Sequence, residues 1–232
     1  DVFIPVVGDG ATGAAVLRQA VDGVFFTGSY GTGRKIAATA GRRMIRVQLE
    51  LGGKDPIYVC EDVDVKAAAA AVADGAFYNN GQSCCAVERI YVADPIHDAF
   101  VAAFVDEVRA FCIGDPMDEA TYIGPLTRPG QIAVLKRQVA EARKLGGRVL
   151  TGGTPIERRG NWFRPTVVAN ADHRMSLMRE ESFGPVIGIQ RVAGDEAAVA
   201  LMNDTPYGLT AGVYTRAEKR AKRILAQVRA GT

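Results

Sequence analysis

Residues 24–51, VFFTGSYGTGRKIAATAGRRMIRVQLEL, carry the pattern that decides the fold. Val24 to Thr27 is a short apolar run, Gly28 to Gly33 is a glycine-rich turn, Arg34 to Ala40 has helical spacing, and Met44 to Leu51 reads as a strand. Strand, turn, helix, strand is the repeating unit of a parallel sheet, because parallel neighbours need a crossover and a helix supplies it. Upstream, Phe3 to Val7 reads as a further strand, Gly8-Asp9-Gly10 as its turn and Ala14 to Ala20 as a helix. The stretch therefore predicts a βαβαβ rhythm and an α/β protein with mostly parallel sheets.

Gly52-Gly53 breaks this rhythm and is the expected domain boundary, giving parts 1–52 and 53–232. Beyond it, strands are expected at Asp55 to Val59, Ala86 to Val92, Arg148 to Leu150, Thr166 to Val168, Val186 to Arg191 and Thr210 to Tyr214, with a short one near Phe163. Helices are expected over Val65 to Tyr78, from Asp94-Pro95 to about Phe111, and over Ile132 to Leu145, Glu196 to Asn203 and Ala217 to Val228. GDPMDE (114–119) and GPLTRPG (124–130) read as loops.

The chain has 232 residues, 48% of them hydrophobic and 23% charged, which is enough for a sizeable core. A formal charge of +2 gives no global argument for nucleic acid or an anionic membrane. The apolar run Ala67 to Ala73 is too short to span a bilayer, so a soluble, cytoplasmic protein is expected. Four cysteines without a CxxC pair fit a reducing compartment, and two separated histidines, His97 and His173, argue against a metal site or a histidine triad. Asp1 at the start, and Gly231-Thr232 directly after a well-patterned helix, lead us to expect a piece of a longer protein.

Four stretches could carry chemistry. The turn Gly28-Ser29-Tyr30-Gly31-Thr32-Gly33 aims backbone N–H groups and a helix N-terminus at one point, which suits a phosphate or is merely a tight turn. Glu50, flanked by Leu49 and Leu51 before two glycines, is either a strand-end surface acid or a desolvated general base. In NNGQSCCAVERIYV (79–92) the thiols of Cys84 and Cys85 lie between a turn and a strand, and in extended chain only one of them can face a given cleft. The other would be a small core residue, as Cys60 and Cys112 are expected to be, and His97 is expected at the surface. In EESFGPV (180–186), Glu181 could grip ribose hydroxyls while Phe183 packs on a nucleoside, or both could belong to an ordinary loop.

Taken in order, FTGSYGTGRKI, LELGGKDPIYV, FYNNGQSCC, EESFGPV and NDTPYGLTAGV resemble the aldehyde dehydrogenase superfamily along essentially the whole chain. GDPMDEATYIGPL and the AGT near the end are similar to it as well. The resemblance implies a partial three-layer αβα fold, in which 1–52 is the end of a dinucleotide-binding domain and 53–232 most of a catalytic thiol domain. It implies that Cys84 is the nucleophile and Glu50 the general base, while Cys85 falls at a variable position. It further implies that Gly28, Ser29, Gly33, Leu51, Glu181 and Phe183 contact NAD or NADP. The implied reaction oxidises an aldehyde through a cysteine thiohemiacetal and thioester, with water as acyl acceptor, since relatives that use coenzyme A often lack the acid at Glu50. An assembly as homodimer or homotetramer is implied for the full-length protein. An asparagine for the oxyanion, a lysine for the adenosine ribose and a terminal pairing strand would lie outside residues 1–232. The expectation is therefore that 1–232 alone is nearly inactive, since losing one oxyanion donor costs about a hundredfold. A non-catalytic scaffold is the alternative of another class.

Overall fold

A computed structural model describes residues 2–231. The chain divides into two compact units, residues 1–52 and 53–232. In the first, Asp9 caps helix α1 (Gly10–Leu17) by accepting the N–H groups of Ala11 and Thr12. Strand β1 (Gly23–Gly28), helix α2 (Tyr30–Arg42) and strand β2 (Arg46–Leu51) form one βαβ crossover, with β1 and β2 parallel from Gly23↔Arg46 to Gly28↔Leu51. The expected strand at Phe3 to Val7 is absent, and its side chains are exposed. An apolar run becomes a strand only where a neighbour supplies ladder hydrogen bonds, and β1 pairs with β2 alone within this sheet. Helix α2 also starts earlier than the spacing indicates, inside the glycine-rich turn.

The second unit is built on a six-stranded sheet of order β5-β6-β7-β4-β3-β8. Its strands are β3 (Pro56–Val59), β4 (Arg89–Ala93), β5 (Arg148–Thr151), β6 (Thr166–Ala169), β7 (Val186–Val192) and β8 (Gly212–Tyr214). All pairs are parallel except β5 with β6. The helices are α3 (Val65–Phe77), α4 (His97–Ala110), α5 (Pro129–Lys144), α6 (Asp195–Asn203) and α7 (Glu218–Leu225). The strands sort their side chains alternately into two cores, which is what period-two pleating dictates. Tyr58, Tyr91, Val168 and Val186 face Leu135, Val139, Met202 and Ile224 of α5 to α7. Val59, Ile90, Val92, Val167 and Ile187 face Val72, Phe77, Phe100 and Phe104 of α3 and α4. Burial on both sides explains why these strands read as continuous apolar runs. Near Phe163 only an isolated bridge to Pro155 forms. Among the described residues no helix is long and apolar enough to cross a membrane.

Candidate active site

The cysteine loop is fixed by backbone geometry that few residues accept. Helix α3 ends at Phe77, and Asn79, Asn80 and Gly81 follow with φ of 49°, 59° and 67°, three consecutive left-handed residues. Asparagine and glycine tolerate that region best. The buried Asn80 ties the loop down: its Oδ1 accepts the Gly124 N–H at 3.0 Å and its Nδ2 donates to the Pro125 carbonyl at 3.1 Å. Gln82 Oε1 accepts the Thr127 N–H at 2.9 Å, so the Asn80 and Gln82 side chains both grip the GPLT loop. A Cβ on Gly81 would stand 2.6 Å from the Gly184 carbonyl oxygen, so only glycine fits.

Cys84 and Cys85 lie in a turn, and β4 begins only at Arg89, so strict alternation of a pleated strand does not govern them. Cys84 is half-buried and Cys85 is exposed, which corrects the expectation of a packed Cys85. The Cys85 Sγ lies 3.3 Å from the Tyr78 hydroxyl and 3.4 Å from Ser83 Oγ, and the Tyr78 hydroxyl donates to Ser83 Oγ at 2.6 Å. Hydrogen bonding with Ser83, and then with Tyr78, holds the Cys85 thiol below its ordinary range. Burial, and then the proximity of Cys85, push the Cys84 thiol up. Cys60 is buried as expected and its thiol is pushed up to about 12 by burial. Cys112 is exposed rather than packed, because the helix before it ends at Ala110 and it falls in the following loop. His97 is 3% exposed rather than at the surface, since it opens α4 with its ring turned inward.

A buried polar network lies before the strands β3, β4 and β7, which are neighbours in the sheet. Lys54 is fully buried and its Nζ donates to Glu88 Oε2 at 2.6 Å and to Ser182 Oγ at 3.0 Å. Glu88 Oε1 accepts the Phe183 N–H at 2.9 Å, and Oε2 accepts that of Ser182 at 3.1 Å. Burial pulls the Lys54 ammonium down despite the opposing charge of Glu88. Arg89, also fully buried, donates to the carbonyls of Lys54, Leu201 and Met202. Glu181 Oε1 accepts the Gly53 N–H at 3.0 Å, and burial, followed by the charge of Glu88, raises its carboxyl. A Cβ on Gly53 would come within 3.0 Å of the Cys84 carbonyl oxygen and 2.5 Å of Asp55 Oδ1. The same glycine thus touches the cysteine loop and holds Glu181. Phe183 is half-buried with φ of 45°.

The remaining sequence candidates belong to the first unit. Ser29 caps α2 by accepting the Thr32 N–H at 3.3 Å, and a Cβ on Gly31 would have open space around it. A Cβ on Gly33 would lie 2.5 Å from Leu51 Cδ2, so this glycine lets α2 pack tightly on β2 and gives Leu51 a packing role. A Cβ on Gly28 would strike the Phe26 ring at 2.5 Å. Glu50 is exposed and accepts one hydrogen bond, from Gln48 at 3.3 Å, which fits the strand-end surface acid of its two sequence readings rather than the desolvated one. The leucines are half-buried on the opposite face of β2. Among the described residues no group of three or more His, Cys, Asp or Glu could hold a metal ion. The sequence reading missed Asn80, Gln82, Lys54 and Glu88. The visible signal was charge at positions 54, 88 and 89, flanking apolar strand residues that must be buried.

Residues 1–232 match the family model described as the aldehyde dehydrogenase family. The chain belongs to the aldehyde dehydrogenase family. It is 39% identical over 232 residues to a betaine aldehyde dehydrogenase of Cereibacter sphaeroides, covering 100% of this chain and 48% of that protein. A solved NAD-dependent aldehyde dehydrogenase from Sinorhizobium meliloti superposes with a TM-score of 0.92 at 36% identity, covering 96% of this chain and 44% of that one. An aldehyde dehydrogenase from Mycobacterium tuberculosis, solved with NAD+, gives a TM-score of 0.92 at 35% identity, covering 95% and 46%. The chain thus spans about half the length of the curated aldehyde dehydrogenases it matches. Its second unit has the expected three-layer αβα architecture of the family, with helices on both faces of a mostly parallel sheet.

Proposed function

We propose that the protein oxidises an aldehyde to a carboxylic acid with NAD or NADP, using Cys84 as nucleophile and Glu50 as general base. The observation that carries this reading is Gly53, whose N–H holds Glu181 and whose missing side chain makes room for the Cys84 carbonyl. The residues fit the coenzyme on two counts. Glu181 commits one carboxylate oxygen to Gly53, leaving the other to accept a ribose hydroxyl, and α2 offers a capped N-terminus with open space at Gly31 for a phosphate. Gly28, Ser29, Gly33 and Leu51 would hold the coenzyme at that turn, and Phe183 would pack against its nicotinamide end.

The Cys84 thiolate adds to the aldehyde carbonyl carbon, forming a C–S bond and a thiohemiacetal oxyanion. Bound NAD(P)+ supplies the hydride acceptor. As the oxyanion collapses to a carbonyl, the C–H electron pair leaves as hydride and Cys84 carries a thioester. Glu50 takes a proton from water, whose oxygen attacks the thioester and frees the acid and the thiolate. The names of the curated relatives support an aldehyde as substrate. The family resemblance supports assembly as a homodimer or homotetramer, and the four free cysteines support a reducing, cytoplasmic location. In the natural full-length protein, Cys84→Ala abolishes aldehyde-dependent NAD(P)H formation, measured at 340 nm, whereas Cys85→Ala keeps most of it. Comparable losses from both variants would refute the assignment.

A further inference from the structure

We infer that Glu88 is a positioning residue that sets the conformation of the Glu181–Phe183 loop through the backbone N–H groups of Ser182 and Phe183. The strand order places it for this task. Strand β4 runs between β7 and β3, so the residue just before it stands between the segments that lead into those two strands. From that middle place one carboxylate reaches Phe183 N at 2.9 Å, Ser182 N at 3.1 Å and Lys54 Nζ at 2.6 Å. Lys54 closes the network by donating to Ser182 Oγ at 3.0 Å, so a compact charge pair grips the loop by main chain and side chain together. Phe183 has φ of 45°, a region that a phenylalanine does not choose unaided, and its N–H is one of the two that Glu88 holds. Glu88 is 5% exposed and Ser182 is fully buried, so water does not replace a lost acceptor. Glu181 and Phe183 themselves carry the coenzyme role proposed above, and the functional half of this inference rests on that reading. Glu88 touches neither substrate nor coenzyme in it.

The test compares two charge-neutral double variants, because changing one partner alone would strand a buried ion. Lys54→Met/Glu88→Gln keeps a carbonyl acceptor for the loop, and Lys54→Met/Glu88→Leu removes it at similar volume. Amide hydrogen exchange by NMR should show Ser182 and Phe183 protected in the wild type and in the Gln variant, but exchanging at least about tenfold faster in the Leu variant. In the natural full-length protein, KM for NAD(P)+ should rise about tenfold or more in the Leu variant and stay near wild type in the Gln variant, with a smaller change in kcat. Equal exchange in both variants would overturn the inference, as would rapid exchange of the Phe183 amide in the wild type, a measurement that needs no variant. A difference in exchange without a difference in KM would uphold the grip of Glu88 and refute the coenzyme role of Glu181 and Phe183.

Discussion

Two neighbouring thiols of one chemical type differ here because of three atoms around them. Cys85 faces solvent and lies in hydrogen-bond contact with Ser83 and Tyr78, while Cys84 is half-buried and bears the proximity of a second thiol. Since the thiolate is the reactive form, iodoacetamide at pH 7.5 should alkylate Cys85 first, Cys84 more slowly and Cys60 not at all in the folded protein. Peptide mapping reads the order, and Tyr78→Phe should slow Cys85 specifically. The carboxyl of Asp55 gives a second residue-scale prediction. Burial pushes it up to about 6, opposed by the Thr210 hydroxyl at 2.6 Å. A carboxyl whose folded pKa lies above its unfolded value favours folding below the unfolded pKa, and that contribution is lost as pH rises through the folded one. Asp55→Asn should therefore raise Tm at pH 7.5 but give no gain near pH 4, as thermal melts across that range would show.

At the scale of elements, the helices and strands of the second unit were legible because their apolar positions repeat with the right periods and are bounded by Gly, Pro and Asp. The loop from Asn79 to Glu88 was legible in part. NNG announces positive φ, but nothing local says that Asn80 reaches Gly124 and Pro125 across the fold. Cys84 and Cys85 escape the alternation of a pleated strand because β4 begins only at Arg89, where the Asp55 backbone carbonyl accepts the N–H groups of Glu88 and Arg89. Phe3 to Val7 misled in the opposite way, since its pattern suits a strand that finds no ladder. Gly81→Ala should be among the costliest single-methyl additions, about 3 kcal/mol or more, because it combines positive φ with a backbone oxygen at 2.6 Å. Urea unfolding would measure it. Gly130→Ala, where a Cβ meets nothing within 4 Å, is the control and should be close to neutral.

Across the second unit, two cores share a single sheet, and long-range ion pairs tie its later helices back to its first strand. Arg220 of α7 pairs with Glu61 after β3 at 2.8 Å and with Asp195 at the start of α6 at 2.6 Å. Its side chain is 19% exposed and that of Asp195 22%, so solvent screens the Asp195 pair less than the Glu61 pair, whose carboxylate is 45% exposed. Arg220→Ala should lower the unfolding free energy by about 2 to 3 kcal/mol, read as a lower urea midpoint at unchanged slope. No sequence periodicity marks such pairs, because their partners are 25 to 159 residues apart. The family motifs, by contrast, were legible as words even where their geometry was not. One of those words carries a chemical clock. Asn80-Gly81 is the dipeptide most given to deamidation, in which the following backbone nitrogen attacks the side-chain amide carbon. Here that amide is buried and gripped from both ends, and ψ of 28° keeps the attacking nitrogen out of line. The intact fold thus shields this amide, and deamidation at Asn80 is confined to the fraction of time the loop spends unfolded.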